Sequence, residues 1–137
     1  MTHAHGGKQM ATINSSDSIL ASIKRLMPNT SIPQDYTVFD GELTAYINAV
    51  LATLQQLGVG DLDTVFVITG YGETWSDYVD DPELLSLIPV YVGYRVKMMF
   101  DAPKSSTTAE AYKGEISQFE FRIMDAARRY QRRKEGD

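Results

Sequence analysis

The strongest constraint on the fold is a long apolar stripe at helical spacing near the middle of the chain. The stripe comprises Leu43, Tyr46, Ile47, Val50, Leu51, Leu54 and Leu57. Because about 3.6 residues complete a helical turn, this spacing places these side chains on one face of an α-helix. Asp40 is the predicted N-cap of this helix, and Gly58 is its predicted C-cap. A helix with so continuous an apolar face needs other elements to cover it, which predicts a packed helical domain.

Two further helices are predicted near the ends of the chain. Ser15 or Ser16 is the expected cap of the first, whose apolar residues recur at helical spacing over positions 19–27. The residues Ser-Ser-Thr at 105–107 cap the last, which reaches at least Tyr130 and has cations in its final turns. Both helices have one apolar face, so both can pack against the central helices.

A fourth helix is predicted over about residues 83–101. Pro82 stands just before it, at a position where the missing backbone N–H costs nothing. Pro89 lies inside it and removes one helical hydrogen bond, so a kink or a break is expected there. The helix is followed by Asp101-Ala102-Pro103, which prevents it from continuing.

One segment favours β-structure. Residues 64–69, Thr-Val-Phe-Val-Ile-Thr, are β-branched and aromatic, and Gly70-Tyr71-Gly72 follows them as a turn. Because a lone strand is unstable, it is expected either to pair in a small hairpin or to offer its edge to a neighbouring subunit. The predicted fold class is therefore mainly α, a small bundle of about four helices with a short β-strand or hairpin between helices 2 and 3.

Length and composition favour one domain. The chain has 137 residues, 43% of them hydrophobic, which suffices for a single core. Residues 1–14 are polar and lack periodicity, so they are predicted to be a flexible N-terminal arm, and residues 15–137 a single helical domain with a basic end. The absence of cysteine excludes disulfides and thiolate chemistry. No apolar run approaches the roughly 20 residues that span a bilayer.

Charge is distributed unevenly along the chain, whose net charge is −5. The acidic region, residues 61–83, holds seven acidic residues and no lysine or arginine. The basic end, residues 128–134, comprises Arg128, Arg129, Arg132, Arg133 and Lys134. Such polarity is suited to docking charge against charge.

The candidate catalytic patterns are weak. Asp77 with Asp80 or Asp81 is a carboxylate cluster, but no histidine, lysine or phosphate-binding loop accompanies it at a useful spacing. The order of acids that binds calcium is also missing. The glycines of Gly70-Tyr71-Gly72 are followed neither by a third glycine nor by the Lys-Ser/Thr of a P-loop. We expect no catalytic residue, no cofactor and no metal site.

Two features have alternative interpretations. Trp75, the single tryptophan, is equally suited to the subunit core and to an interface, because both use its large apolar area. The basic end is suited to solvation at a helix end, to docking on an acidic protein, or to contacts with DNA phosphates.

Several short motifs in a fixed order resemble a known family. They are Ile19-Leu20 with Ile23-Lys24, Tyr36 to Asp40, Ile47-Asn48, Leu57 to Gly60, Trp75-Ser76-Asp77, Tyr91 with Val96 to Pro103, and Glu120-Phe121-Arg122. Their order, from about Ile19 to Tyr130, is similar to that of the head-to-tail connector proteins of long-tailed phages, also called adaptor or DNA-packaging accessory proteins.

The resemblance implies a mainly helical structural protein of the virion with no enzymatic activity. Such a protein assembles into a ring of twelve copies beneath the portal protein. The ring extends the DNA channel, retains packaged DNA and gives the tail-side connector or tail completion protein its attachment surface. DNA passes through the lumen without specific binding, and no membrane is involved. The expected location is the head-to-tail interface, with assembly in the host cytoplasm.

Residue roles follow as expectations. The basic end, Arg128, Arg129, Arg132, Arg133 and Lys134, is expected to dock on the portal. The acidic region is expected at the subunit interface or the lumen through Asp61, Asp63, Trp75, Asp77, Asp80 and Asp81. The alternative function is a small DNA-binding regulatory protein that uses the basic end, which predicts a salt-sensitive affinity for DNA.

Overall fold

The computed structural model describes residues 13–136 and confirms a mainly helical fold. In chain order its helices are α1 (Ile19–Leu26), α2 (Asp40–Gln56), α3 (Trp75–Tyr78), α4 (Pro82–Phe100) and α5 (Ser106–Gly136). The four-residue α3 was not predicted, so the described chain has one helix more than expected. Most of the predicted arm, residues 1–12, lies outside the described residues. Ile13, the first described residue, already packs against the core.

The helix ends follow local side-chain chemistry. Ser18, rather than Ser15 or Ser16, caps α1, because its Oγ accepts a hydrogen bond from the Ala21 N–H at 3.2 Å. Asp81 caps α4 through the Leu84 N–H at 3.0 Å. Asp40 begins α2 but does not cap it.

At the other end of α2, Gly58 ends the helix. Its φ of +97° lies in the left-handed region that glycine enters without strain. Gly58 therefore ends α2, as the sequence predicted.

Helix α4 is the centre of the packing and contacts α1, α2 and α5. Its side chains Leu84, Ile88, Tyr91, Val92 and Val96 are fully buried. Gly93 lets α1 approach closely, since a Cβ there would lie 3.0 Å from the Leu26 carbonyl oxygen. The helix continues through Pro89 without a break, because packing on three sides holds the turn in which the proline removes one hydrogen bond.

The predicted strand at residues 64–69 is not confirmed. Within residues 13–136 the single β-pairing is an isolated antiparallel bridge between Ser18 and Thr74. The side chain of Asn48 on α2 takes the place of a partner strand. Its Nδ2 donates to the Ile68 carbonyl at 3.0 Å, and its Oδ1 accepts from the Ile68 N–H at 2.8 Å. A primary amide has the same donor and acceptor groups as a peptide bond, so one side chain satisfies this backbone residue.

Replacing Asn48 with leucine is expected to lower the free energy of unfolding by about 2 kcal/mol, because the buried Ile68 would lose both backbone partners. Urea unfolding followed by circular dichroism measures this change. Gln56→Leu, at an exposed position of the same helix, is the matched control and should stay within about 0.5 kcal/mol of the parent. Equal stability of the two variants would contradict the role given to Asn48.

Candidate functional site

Trp75 belongs to the core of the subunit. Its side chain is fully buried, and its Nε1–H donates to the Ser22 Oγ at 3.0 Å. A capping box fixes its helix: the Thr74 Oγ1 accepts from the Asp77 N–H at 3.2 Å, and the Asp77 carboxylate accepts from the Thr74 N–H at 2.9 Å. Of the two roles considered for Trp75, the structure supports the core. The expectation that Trp75 faces a neighbour or the lumen is therefore corrected, because a buried indole with its donor satisfied has no free surface.

The acidic region does not form one surface. Asp61 and Asp63 lie in an exposed loop before residue 64, where the Asp61 carboxylate accepts from the Asp63 N–H at 2.9 Å. Asp77 is exposed and belongs to the capping box of α3. Asp80 and Asp81 instead face the end of α5. The six residues expected at an interface or lumen are thus separated into a core residue, an exposed loop, a helix cap and an ion-pair cluster.

The ion-pair cluster joins the acidic region to the basic end within one subunit, and we call it the acid–base clasp. It comprises Asp80, Asp81, Glu83, Arg129, Tyr130 and Arg133. The Arg133 Nη2 lies 2.7 Å from the Asp81 Oδ1, and the Tyr130 hydroxyl donates to the Asp80 Oδ1 at 2.9 Å. Arg129 binds Glu83 and Asp125, and these hydrogen bonds raise the pKa of its guanidinium, Asp125 more than Glu83.

Asp81 has two roles in the clasp. Its side chain is 8% exposed, and besides pairing with Arg133 it caps α4. The clasp therefore fixes the last turns of α5 against the start of α4. Asp80 and Asp81 have partners in their own subunit, which makes them poor candidates for a contact with another subunit.

Three of the five cations expected to dock on the portal remain outside the clasp. The Arg128 Nη1 lies 3.9 Å from the Asp125 Oδ1, and its side chain is 62% exposed. Arg132 is exposed and has no acidic partner among the described residues. The Lys134 Nζ lies 5.5 Å from the ring centroid of Tyr130. By the helical period, Arg128 and Arg132 lie on the face of α5 opposite Ile123 and Tyr130.

A cleft of about 600 Å³ lies between the loop at residues 60–62, α3 and the end of α5. Asp61, Asp77, Asp80 and Lys134 line it. Asp77 and Asp80 already accept structural hydrogen bonds there, and no group of three or more metal-binding side chains exists among the described residues. The Tyr78 hydroxyl beside it is buried without a partner in the described chain, and burial raises the pKa of this phenol. The cleft has no arrangement of nucleophile and base.

Sequence reasoning missed a buried polar network around Lys24. The Lys24 side chain is fully buried on α1, and its Nζ donates to the Tyr36 carbonyl at 2.8 Å and to the Tyr71 hydroxyl at 2.8 Å. It also pairs with the Asp40 Oδ1 at 3.0 Å, and the Tyr71 hydroxyl donates to the Asp40 Oδ2 at 2.6 Å. The network fastens two loops to α1 and α2. The sequence contained one signal of this network, a lysine within the apolar helical period of α1.

The pKa values of Lys24 and Asp40 reflect two opposing effects, burial and hydrogen bonding. Burial lowers the pKa of Lys24, but hydrogen bonds to Tyr71 and Asp40 outweigh it, and the pKa is raised above its ordinary value. Burial likewise raises the pKa of Asp40, but hydrogen bonds from Tyr71 and Lys24 outweigh it and hold the pKa below its ordinary value. Both side chains are therefore charged at neutral pH, and each compensates the burial of the other.

The residues of the motif Glu120-Phe121-Arg122 have different roles. The Glu120 Oε2 accepts from the Tyr91 hydroxyl at 2.8 Å and pairs with the Arg95 Nη1 at 2.9 Å, so it fastens α5 to α4. Phe121, in contrast, is 74% exposed. The fold of the subunit does not explain an aromatic residue there.

Comparisons with known proteins address the family. A family model described as "Phage connector protein" matches residues 19–130, which is most of the chain. No curated protein and no solved structure matches this chain. None of the described helices is long and apolar enough to cross a membrane. The resemblance inferred from the sequence motifs is confirmed: the chain belongs to the phage connector proteins, a family of virion structural proteins and not of enzymes.

Proposed function

We propose that this connector forms a closed ring of twelve copies beneath the portal protein of the DNA-filled head. The ring extends the DNA channel, retains the packaged DNA and offers its far side to the tail-side connector or tail completion protein. One observation supports this proposal most directly. After the acid–base clasp has formed, unlike charges remain exposed on different parts of the subunit, Asp61 and Asp63 on a loop and Arg128 and Arg132 on the outer face of α5. A head-to-tail ring joins two different surfaces of each subunit, and opposite charges on those surfaces favour the contact.

Within the acidic region, we assign only Asp61 and Asp63, which we call the loop acids, to the contact with the neighbouring subunit. Asp77 is exposed beside the cleft and is assigned to the lumen, where a negative wall lets DNA slide without adhering. Asp80 and Asp81 position the end of α5 through the clasp.

Portal docking is assigned to the cations that the clasp leaves available. Arg129 and Arg133 hold the end of α5 against α4, and Arg132 and Lys134 are exposed on the last turns of the same helix. Arg128, one turn before Arg132, is not part of this docking surface. An ordered helix end presents its cations with less loss of entropy on binding than a flexible tail does. The partner surface on the portal is expected to be acidic.

Reversing both charges of Arg132 and Lys134 to glutamate is expected to weaken binding to the purified portal at least about 10-fold, because attraction becomes repulsion. Co-sedimentation with portal rings at fixed salt measures the affinity. The matched control reverses Lys104 and Lys113, which are exposed away from the basic end. Unchanged binding by the first variant would refute the docking role. Deleting residues 128–137 is a poorer test, because it also removes the clasp.

The function as a whole is tested in a phage whose copy of this reading frame is interrupted. Electron microscopy of the lysate should show free tails beside heads that have packaged DNA and lose it. Complementation with the intact frame should restore joined particles. Normal tailed and infectious particles from the interrupted phage would exclude the connector role.

The DNA-binding alternative is not favoured by the structure. Three of the five cations of the basic end, Arg128, Arg129 and Arg133, are paired with acids of their own subunit. Asp80, Asp81 and Asp125 stand beside the remaining cations and would repel phosphate groups.

A further inference from the structure

One unexplained surface is a row of apolar side chains next to the loop acids. Leu62, Val65 and Val67, which we call the valine row, are 55%, 42% and 50% exposed. Ile68 is 2% exposed and Phe66 is half-buried, an alternation typical of extended backbone. Among the described residues, no hydrogen bond reaches the backbone of residues 64–67. Phe66 packs inward, with its ring centroid 5.1 Å from that of Tyr78, while Leu62, Val65 and Val67 present apolar side chains to solvent.

A second unexplained surface lies on α5. Phe121 is 74% exposed and Met124 is 39% exposed on α5. Phe121 borders a groove of about 270 Å³ between α4 and α5, and Leu87 and Arg122 also line this groove. We call Leu87, Phe121 and Met124 the Phe121 patch. By the helical period Phe121 lies on the face of α5 opposite Ile123, which is fully buried.

The two surfaces are complementary in charge as well as in apolarity. Asp61 and Asp63 flank the valine row. Arg122 adjoins Phe121 in sequence, and Arg128 lies two turns further along the same face. The acids that line the same groove, Glu83 and Asp125, are paired with Arg129. Apolar surfaces with a charged border are typical of protein interfaces. Opposite charges at the two borders favour contact between unlike surfaces and oppose contact of either surface with itself.

We infer that the valine row of one subunit packs on the Phe121 patch of the next subunit in the ring. Asp61 and Asp63 then face Arg122 and Arg128 across the contact. Because the valine row and the Phe121 patch are two different surfaces of the subunit, the contact is head to tail and repeats until the ring closes. The occupant of the Phe121 patch is thus a second copy of this chain. This inference rests on the proposed ring and specifies which surfaces form it.

Cysteine cross-linking tests this contact. The natural chain has no cysteine, so none of its own residues adds further cross-links. The double variant Val65→Cys with Phe121→Cys is built into virions and treated with a short bismaleimide. We expect a ladder of covalent oligomers that ends in the complete ring. The matched control pairs Val65→Cys with Thr107→Cys, which lies about 21 Å along α5 from Phe121, and should give no ladder. Each single-cysteine variant should remain monomeric.

Any other result contradicts the inferred contact. Virions that contain the double variant but give no ladder would leave the ring in place with a different interface. Dimers from a single-cysteine variant would indicate that like surfaces meet. A link from position 121 to a cysteine of another virion protein would identify a different occupant. Absence of the natural protein from virions would instead refute the proposed function itself.

Charge exchange provides a second measurement that does not depend on cross-linker reach. Asp61→Arg with Asp63→Arg should reduce the yield of joined particles at least about 10-fold, since like charges then meet. Adding Arg122→Asp and Arg128→Asp should restore most of that yield. Circular dichroism should show unchanged helicity in both variants, because all four positions are exposed. Failure of the second pair to rescue the first would contradict the inferred pairing.

Discussion

Replacing Lys24 with methionine is expected to lower the free energy of unfolding by about 3 kcal/mol. Methionine fills a similar volume, so the effect arises from lost partners and not from a cavity. The Asp40 carboxylate would lose its ion pair, and the carbonyls of Gln34 and Tyr36 would lose a donor. The Lys24 side chain is fully buried, whereas that of Asp40 is 20% exposed, so water replaces part of the lost contacts and the loss lies at the lower end of the range for a broken buried ion pair. Urea unfolding at neutral pH measures the loss.

The control for this prediction is Lys113→Met, because the Lys113 side chain is 61% exposed and its ion pair with Glu110, at 3.4 Å, lies at the surface. It should change the free energy of unfolding by less than about 0.5 kcal/mol. A Lys24→Met variant as stable as Lys113→Met would show that the network contributes no net stability. The double variant Lys24→Met with Asp40→Leu should recover part of the loss, because no unpaired carboxylate then remains.

Trp75→Ala is expected to lower the free energy of unfolding by about 3–5 kcal/mol, the range found when large buried aromatic side chains are truncated. Trp75 is fully buried against α1, and removing the indole leaves a cavity and deprives the Ser22 hydroxyl of its donor. Thermal unfolding followed by far-ultraviolet circular dichroism measures the change. The measurement does not need the tryptophan fluorescence that the variant has lost.

This variant also separates the two roles that the sequence left open for Trp75. A core residue lowers the stability of the free subunit, whereas an interface residue leaves the subunit stable and lowers only ring assembly or attachment. Phe121→Ala is the matched comparison, because Phe121 is 74% exposed and its truncation should leave the unfolding temperature unchanged. A stable Trp75→Ala subunit that fails to join heads to tails would reverse the assignment.

Contacts between distant residues account for what sequence reasoning did not reach. The basic end was predicted as one docking element, but Arg129 and Arg133 bind Glu83 and Asp81, which precede them by 46 and 52 positions. The helical period places Arg128 and Arg132 on the outer face of α5, but it does not indicate which distant acids pair with Arg129 and Arg133. The outer position of Phe121 on α5 could be derived from its offset from Ile123, and this signal was available in the sequence.

The sequence by itself determined the four long helices and the family. A helix repeats over neighbouring residues, so the apolar period, Gly58 and Pro82 contain the information needed to place α2 and α4. The tertiary structure decided the rest. Residues 64–69 have the composition of a strand, yet Asn48 on α2 satisfies Ile68 and no partner strand is formed. Lys24, Trp75 and the clasp likewise acquire their roles from side chains far away in sequence. Their partners are determined by how the helices pack, and local periodicity does not encode that packing.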